Sequence, residues 1–184
     1  MPATRSVCVF CGSRDGSRQE HATAAQALGR LIAAEGWRLV YGAGDVGLMG
    51  AVAEAAQAAG GKAIGVVPVH LMGREKARER LDTMIVTENM HERKKVMFMN
   101  SDVIVVMPGG AGSLDEFFEV LTWRQIGLHE KPIFLLNIGG FWDPLVGLID
   151  HVIAEGFAEP SLAGFTAVVP DVPTLAERLR AALG

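Results

Sequence analysis

Short runs of β-branched and other apolar residues alternate along this chain with longer stretches whose apolar positions recur every three to four residues. These are the periods of buried strands and of helices with one inward face. Ser6–Phe10 reads as a strand, and a helix from about Gln19 to Glu35 follows. Leu28, Leu31 and Ile32 give that helix its inward face, Ala22, Ala24, Ala25 and Ala27 permit close approach, and Gly36 ends it. Arg38–Tyr41 is a second strand, Gly42–Gly50 a glycine-rich loop turning into an alanine-rich helix to about Ala59, and Lys62–Val67 a third strand stopped by Pro68. Val69–Leu81 breaks the rhythm, with the charge run Arg74–Arg80 read as a short solvated helix. Thr83–Thr87 reads as a strand or extended edge, followed by a helix over Asn89–Asn100 with Asn89 as its cap and Glu92 as the capping-box partner. Asp102–Met107 is the next strand, Ser113–Ile126 a helix closed by Gly127, and Pro132–Asn137 a further strand. Phe141–Glu155, Ala167–Val169 and Pro173–Leu183 complete the chain as helix, strand and helix.

Strands joined by helix-length crossovers predict a doubly wound, mostly parallel α/β sheet with helices on both faces, Rossmann-like, with residues 1–184 as a single domain. Ligands of such sheets sit beyond the carboxyl ends of the strands, where strand order reverses. Three loops, at Gly12-Ser13, Gly42–Gly47 and Gly109–Ser113, follow strands and so share that edge.

Composition narrows the function classes. A hydrophobic fraction of 49% and a charged fraction of 21% describe a folded domain. The net charge of -4 offers no domain-wide basic excess for nucleic acid. No run approaches the roughly 20 apolar residues of a membrane span, and the polar N-terminus lacks a secretory pattern, so the expectation is a cytoplasmic protein. Cys8 and Cys11 stand in and just after a strand, with no second pair for zinc, and read as a buried small hydrophobe and a loop residue. His91 and His129 lack ligand spacing. No metal and no cofactor is expected.

The chemistry concentrates around Val103–Glu116. An apolar strand, a loop with Pro108 and three glycines, and a helix start together make a seat for an anion, because unpaired backbone N–H groups point out of a helix N-terminus. Glu116 is read in the first turn of that helix. On residue type alone, Glu116 serves its own helix start as readily as a reaction, and Arg93-Lys94-Lys95 reads as a solvated face. The loop from Gly42 to Gly47 matches G-x-G-x-x-G literally, but Asp45 within it opposes a pyrophosphate, so a mononucleotide suits the loops better.

Phe10–Ser13, Tyr41-Gly42, Val46–Gly50, Met90–Lys94, Pro108-Gly109-Gly110 with Gly112 and Glu116, and Thr122-Trp123 with Gly127 span nearly the whole chain. In these residues it resembles the LONELY GUY family of cytokinin riboside 5'-monophosphate phosphoribohydrolases, whose older label was "possible lysine decarboxylase". The resemblance implies hydrolysis of the N-glycosidic bond of a nucleoside 5'-monophosphate, either AMP or an N6-substituted relative. Arg93 and Glu116 would be the catalytic pair. Glu75, Arg93, Lys94, Gly110, Gly112, Ser113, Leu114, Asp115 and Thr122 would bind substrate, together with Ser13, Gly44, Met90 and Gly109. Ala43, Asp45, Ser113 and Asp115 depart from the family's usual residues. A carboxylate suits an oxocarbenium-like ribose, whereas an arginine cannot be deprotonated at ordinary pH and would orient the acid or neutralise substrate charge. The apolar helix bearing Phe117, Phe118, Val120, Leu121 and Trp123 predicts a homodimer. The alternative is a non-catalytic nucleotide carrier or sensor, similar to molybdenum-cofactor carrier proteins.

Overall fold

A computed structural model describes residues 4–72 and 81–184, so Glu75 and the run Arg74–Arg80 lie outside the described residues. The strands are β1 (Ser6–Phe10), β2 (Arg38–Tyr41), β3 (Lys62–Pro68), β4 (Thr83–Thr87), β5 (Val103–Val106), β6 (Ile133–Leu136) and β7 (Ala167–Val169). Between and after them stand α1 (Gln19–Ala34), α2 (Gly47–Ala58), α3 (Met90–Met99), α4 (Ala111–Gln125), α5 (Asp143–Ala154) and α6 (Val172–Leu183). One seven-stranded sheet runs β4-β3-β2-β1-β5-β6-β7, and every pairing in it is parallel. The chain winds outward from β1 to β4, returns to place β5 beside β1, and winds outward again. Strand order therefore reverses between β1 and β5, the position at which a crevice opens in folds of this kind.

Strand alternation divides the core into two layers. Val7, Val9, Leu39, Tyr41, Val103 and Val105 pack with Leu28 and Ile32 of α1, Val52 of α2 and Leu175 and Leu179 of α6. Cys8, Phe10, Val40, Ile104 and Val106 turn the other way, toward Met97 of α3, Phe117 and Val120 of α4, and Leu145 of α5. Strands β5 and β6 are apolar at every position because both faces are covered. The outer strand β4 instead leaves Met84 and Val86 exposed.

Among the described residues the predicted elements stand within a residue or two of their expected bounds, with short 3-10 turns added at Val69–Leu71, Ile138–Gly140 and Pro160–Phe165. Asn89 caps α3 as expected, accepting from the Glu92 N–H at 2.9 Å. The Glu92 carboxylate accepts from the Glu88 N–H at 2.6 Å, one residue before the expected partner.

The small residues of α1 and α2 allow a close helix contact around Gly29, where an added Cβ would overlap the Val52 carbonyl oxygen on α2. Alanine favours a helix over glycine by about 1 kcal/mol, but backbone cannot move aside as a side-chain tip can. Gly29→Ala is therefore expected to destabilise the protein by about 1–2 kcal/mol net. Urea unfolding checks this, and a raised midpoint would contradict the contact.

Candidate active site

Two loops meet where strand order reverses. The Gly12 N–H donates to Pro108 O at 3.0 Å and the Met107 N–H to Phe10 O at 2.8 Å, fixing the exit of β1 against that of β5. Gly109 lies so close to Ser113 that an added Cβ would overlap its hydroxyl. Helix α4 starts two residues earlier than expected, with Gly110 as its N-cap. Ser113 has the composition of a cap but stands at the third helical position, and Glu116 falls in the second turn rather than the first. The first intrahelical bond runs from the Leu114 N–H to Gly110 O, so the N–H groups of Ala111, Gly112 and Ser113 have no acceptor within the helix. Nothing lies within 4 Å of where a side chain would stand on Gly110 or Gly112. An anion can approach that backbone directly.

Arg93 comes to this edge from α3. Its Nε donates to Val66 O at 3.0 Å and its Nη2 to Gly42 O at 2.9 Å, which leaves Nη1 toward Glu116 Oε1 at 4.0 Å. Arg93 is 6% exposed and Glu116 8%. Burial pushes the Glu116 carboxyl up to about 7, against the opposing pull of the Arg93 guanidinium. An acid with that pKa is divided between its two forms near neutral pH, the condition under which proton transfer is most efficient. Burial, reinforced by Glu116, also pushes the Cys8 and Cys11 thiols well above their ordinary range, so neither is a nucleophile here.

The basic segment of α3 is not a solvated face. Lys94 is 5% exposed, and its Nζ lies 2.9 Å from Asp115 Oδ2 and 3.2 Å from Glu119 Oε2 on α4. Burial pulls the lysine pKa down, yet the hydrogen bonds to these two carboxylates prevail and hold it above its ordinary value. Adjacent residues of α3 thus grip adjacent turns of α4, Arg93 on the cavity side and Lys94 away from it. Lys95 is exposed.

A cavity of about 900 Å³ lies over this edge, within the range of small-molecule sites. Ser13, Met90, Arg93, Gly109, Gly110, Gly112, Ser113 and Glu116 stand in its wall. Gly44, Lys94, Leu114, Asp115 and Thr122 do not; Gly44 is buried beneath Met49, and Thr122 is exposed on α4. Sequence reasoning missed Met49 and Leu71 on the β2–β3 side and Arg18, His21, Gly139 and Phe141 on the β6 side. None of these carries a spacing or charge pattern that marks a site. Among the described residues no cluster of His, Cys, Asp and Glu is placed to hold a metal ion, and no helix is long and apolar enough to cross a membrane.

A switch-point cavity with an open helix N-terminus and a buried acid–arginine pair places the protein among Rossmann-like folds of the nucleotide-handling class. Residues 49–179 match the family model described as "Possible lysine decarboxylase". A probable cytokinin riboside 5'-monophosphate phosphoribohydrolase of Oryza sativa subsp. japonica is 45% identical over 95% of this chain and 77% of its own length. A cytokinin riboside 5'-monophosphate phosphoribohydrolase of Arabidopsis thaliana is 40% identical over 96% of this chain and 78% of its own. The chain belongs to this LONELY GUY family. Among solved structures, the molybdenum cofactor carrier protein of Chlamydomonas reinhardtii superposes with a TM-score of 0.76 at 24% identity, over 98% of this chain and 99% of that one. The molybdenum cofactor binding protein of Rippkaea orientalis gives 0.76 at 24% identity over all of both chains. At that identity the likeness concerns the fold alone.

Proposed function

We propose that the protein hydrolyses the N-glycosidic bond of AMP or an N6-substituted adenosine 5'-monophosphate, releasing the free base and ribose 5-phosphate. The observation that carries this reading is the buried Glu116–Arg93 pair in the wall of a cavity that also contains the open N-terminus of α4. The 5'-phosphate sits on the N–H groups of Gly110–Ser113, and the ribose lies between them and Glu116. As the bond breaks, the base departs with the bonding electrons and positive charge grows at C1'; the Glu116 carboxylate stabilises that charge and takes a proton from the water whose oxygen bonds to C1', and the departing base takes up that proton. Arg93 fixes that carboxylate and favours its charged form. Met49, Leu71 and Met90 supply an adaptable apolar wall for the base. Among the described residues no lysine lines the cavity to serve as a Schiff-base amine.

Chromatography of AMP and N6-isopentenyl-AMP incubated with the protein tests this. Free base appearing with turnover supports hydrolysis, whereas binding without release of base supports the carrier reading and contradicts ours.

The same reading takes the protein to be a cytoplasmic homodimer that does not bind nucleic acid, one domain throughout. Its two cysteines are free thiols, as in a reducing compartment, and its net charge is -4. Phe117, Val120 and Leu121 of the apolar helix are absorbed by the chain's own core, and Trp123 packs against it. Support for a dimer comes instead from exposed Met99, Phe118, Ile126 and Leu128 on and just beyond α3 and α4. Light scattering is expected to give twice the 19.6 kDa chain mass; a monomer at micromolar concentration would contradict it.

A further inference from the structure

The Arg93 guanidinium occupies the space above Gly42 that any side chain would fill. An ideal Cβ on Gly42 would overlap Arg93 Nη2, lie 2.8 Å from Cζ and stand 3.2 Å from Met49 Sδ. The requirement is steric rather than conformational, because Gly42 is not in the left-handed region; in this loop that conformation belongs to Ala43, at φ 60°. The Gly42 carbonyl accepts from the same Nη2 whose place the missing side chain leaves open, and Val66 O at the end of β3 accepts from Nε. Two backbone oxygens, one in β3 and one just past the end of β2, and one absent Cβ thus set the plane of the guanidinium. The remaining Nη1 is held toward Glu116 at 4.0 Å.

We infer that Gly42 is a positioning residue for the reaction, acting through Arg93: its missing side chain and its carbonyl dock the guanidinium in the one orientation that faces Glu116. The glycine-rich loop after β2 then serves an arginine of this chain rather than a phosphate of the ligand, which accounts for its literal match to a dinucleotide motif and for its tolerance of Asp45. Displacing a catalytic group by an ångström is enough to lower a rate by about 100-fold. The catalytic part of this inference rests on the proposed hydrolysis; the docking part does not.

The test is a cycle of four proteins: wild type, Gly42→Ala, Arg93→Ala and the double variant, each measured for thermal unfolding and for base release from AMP. Gly42→Ala is expected to lower kcat by about 100-fold with little change in KM, and to move the low-pH limb of its rate profile to higher pH because Glu116 loses its cation. In the Arg93→Ala background the same substitution is expected to leave kcat unchanged and to lower the melting temperature less, since the overlapping atoms are gone. If Gly42→Ala alone does not fold, recovery of folding in the double variant supports the inference and failure to recover overturns it. Equal losses of melting temperature in both backgrounds would overturn it as well. The unfolding cycle needs no substrate, so a wild type that releases no base refutes the hydrolytic reading while leaving the docking testable.

Discussion

Glu116→Gln is expected to lower base release by about a thousandfold or more and, at the same time, to make the protein more stable above neutral pH. The carboxyl ionises near 7 in the folded protein against an ordinary 4.5. Its folded-state value is raised, so the stability linked to its protonated form is fully present below pH 4.5 and is lost as pH rises through about 7. Above that the native state carries a desolvated carboxylate that Arg93 only partly compensates. Glutamine has the same shape without the charge. The gap between the two values corresponds to roughly 3–4 kcal/mol, which the variant should regain at pH 8 and not at pH 4.5. Urea unfolding of both proteins at the two pH values reads this directly. Equal midpoint differences at both would show that Glu116 titrates as an ordinary surface acid. A functional group that opposes stability is what selection for a reaction, rather than for the fold, leaves behind.

Arg93→Ala should move both quantities downward. The guanidinium satisfies Val66 O and Gly42 O and stands beside a buried carboxylate, so its removal leaves two carbonyls and an acid without their partner. A loss of about 3 kcal/mol or more is expected. Base release falls as in Glu116→Gln, and any residual activity has its low-pH limb shifted to higher pH, because Glu116 loses Arg93, which does more than Lys94 to keep it ionised. Arg93→Lys lies between the two: an ammonium restores charge but not the planar fork that reaches two carbonyls at once. A lysine variant with full activity would mean that charge alone is needed and that the docking geometry is incidental.

Much of the fold was legible because parallel strands covered on both faces have an unmistakable composition. Val103–Val106 is apolar throughout, and Gly36 and Gly127 stand at φ 70° and 78° after the helices they were expected to end. The start of α4 was harder to place. Ser113 carries the hydroxyl that usually marks a cap, but here the cap is Gly110, whose backbone conformation no side-chain signal announces. The burial of Arg93 and Lys94 was also hidden. A run of charges on a helix reads as wet unless its partners are known, and these partners lie on α4 and on the ends of β2 and β3, far away in sequence. The cavity walls from α1 and the turn before α5 were illegible for the same reason: their residues become neighbours only through strand order.

The proposed hydrolysis requires that Glu116 act on a ribose whose phosphate is held at the start of α4. It is tested most directly by following free base and ribose 5-phosphate together for AMP and, in parallel, free base for adenosine lacking the phosphate. Equal amounts of base and ribose 5-phosphate are expected from AMP, and almost no base from adenosine. Adenosine turned over as readily as AMP would contradict it.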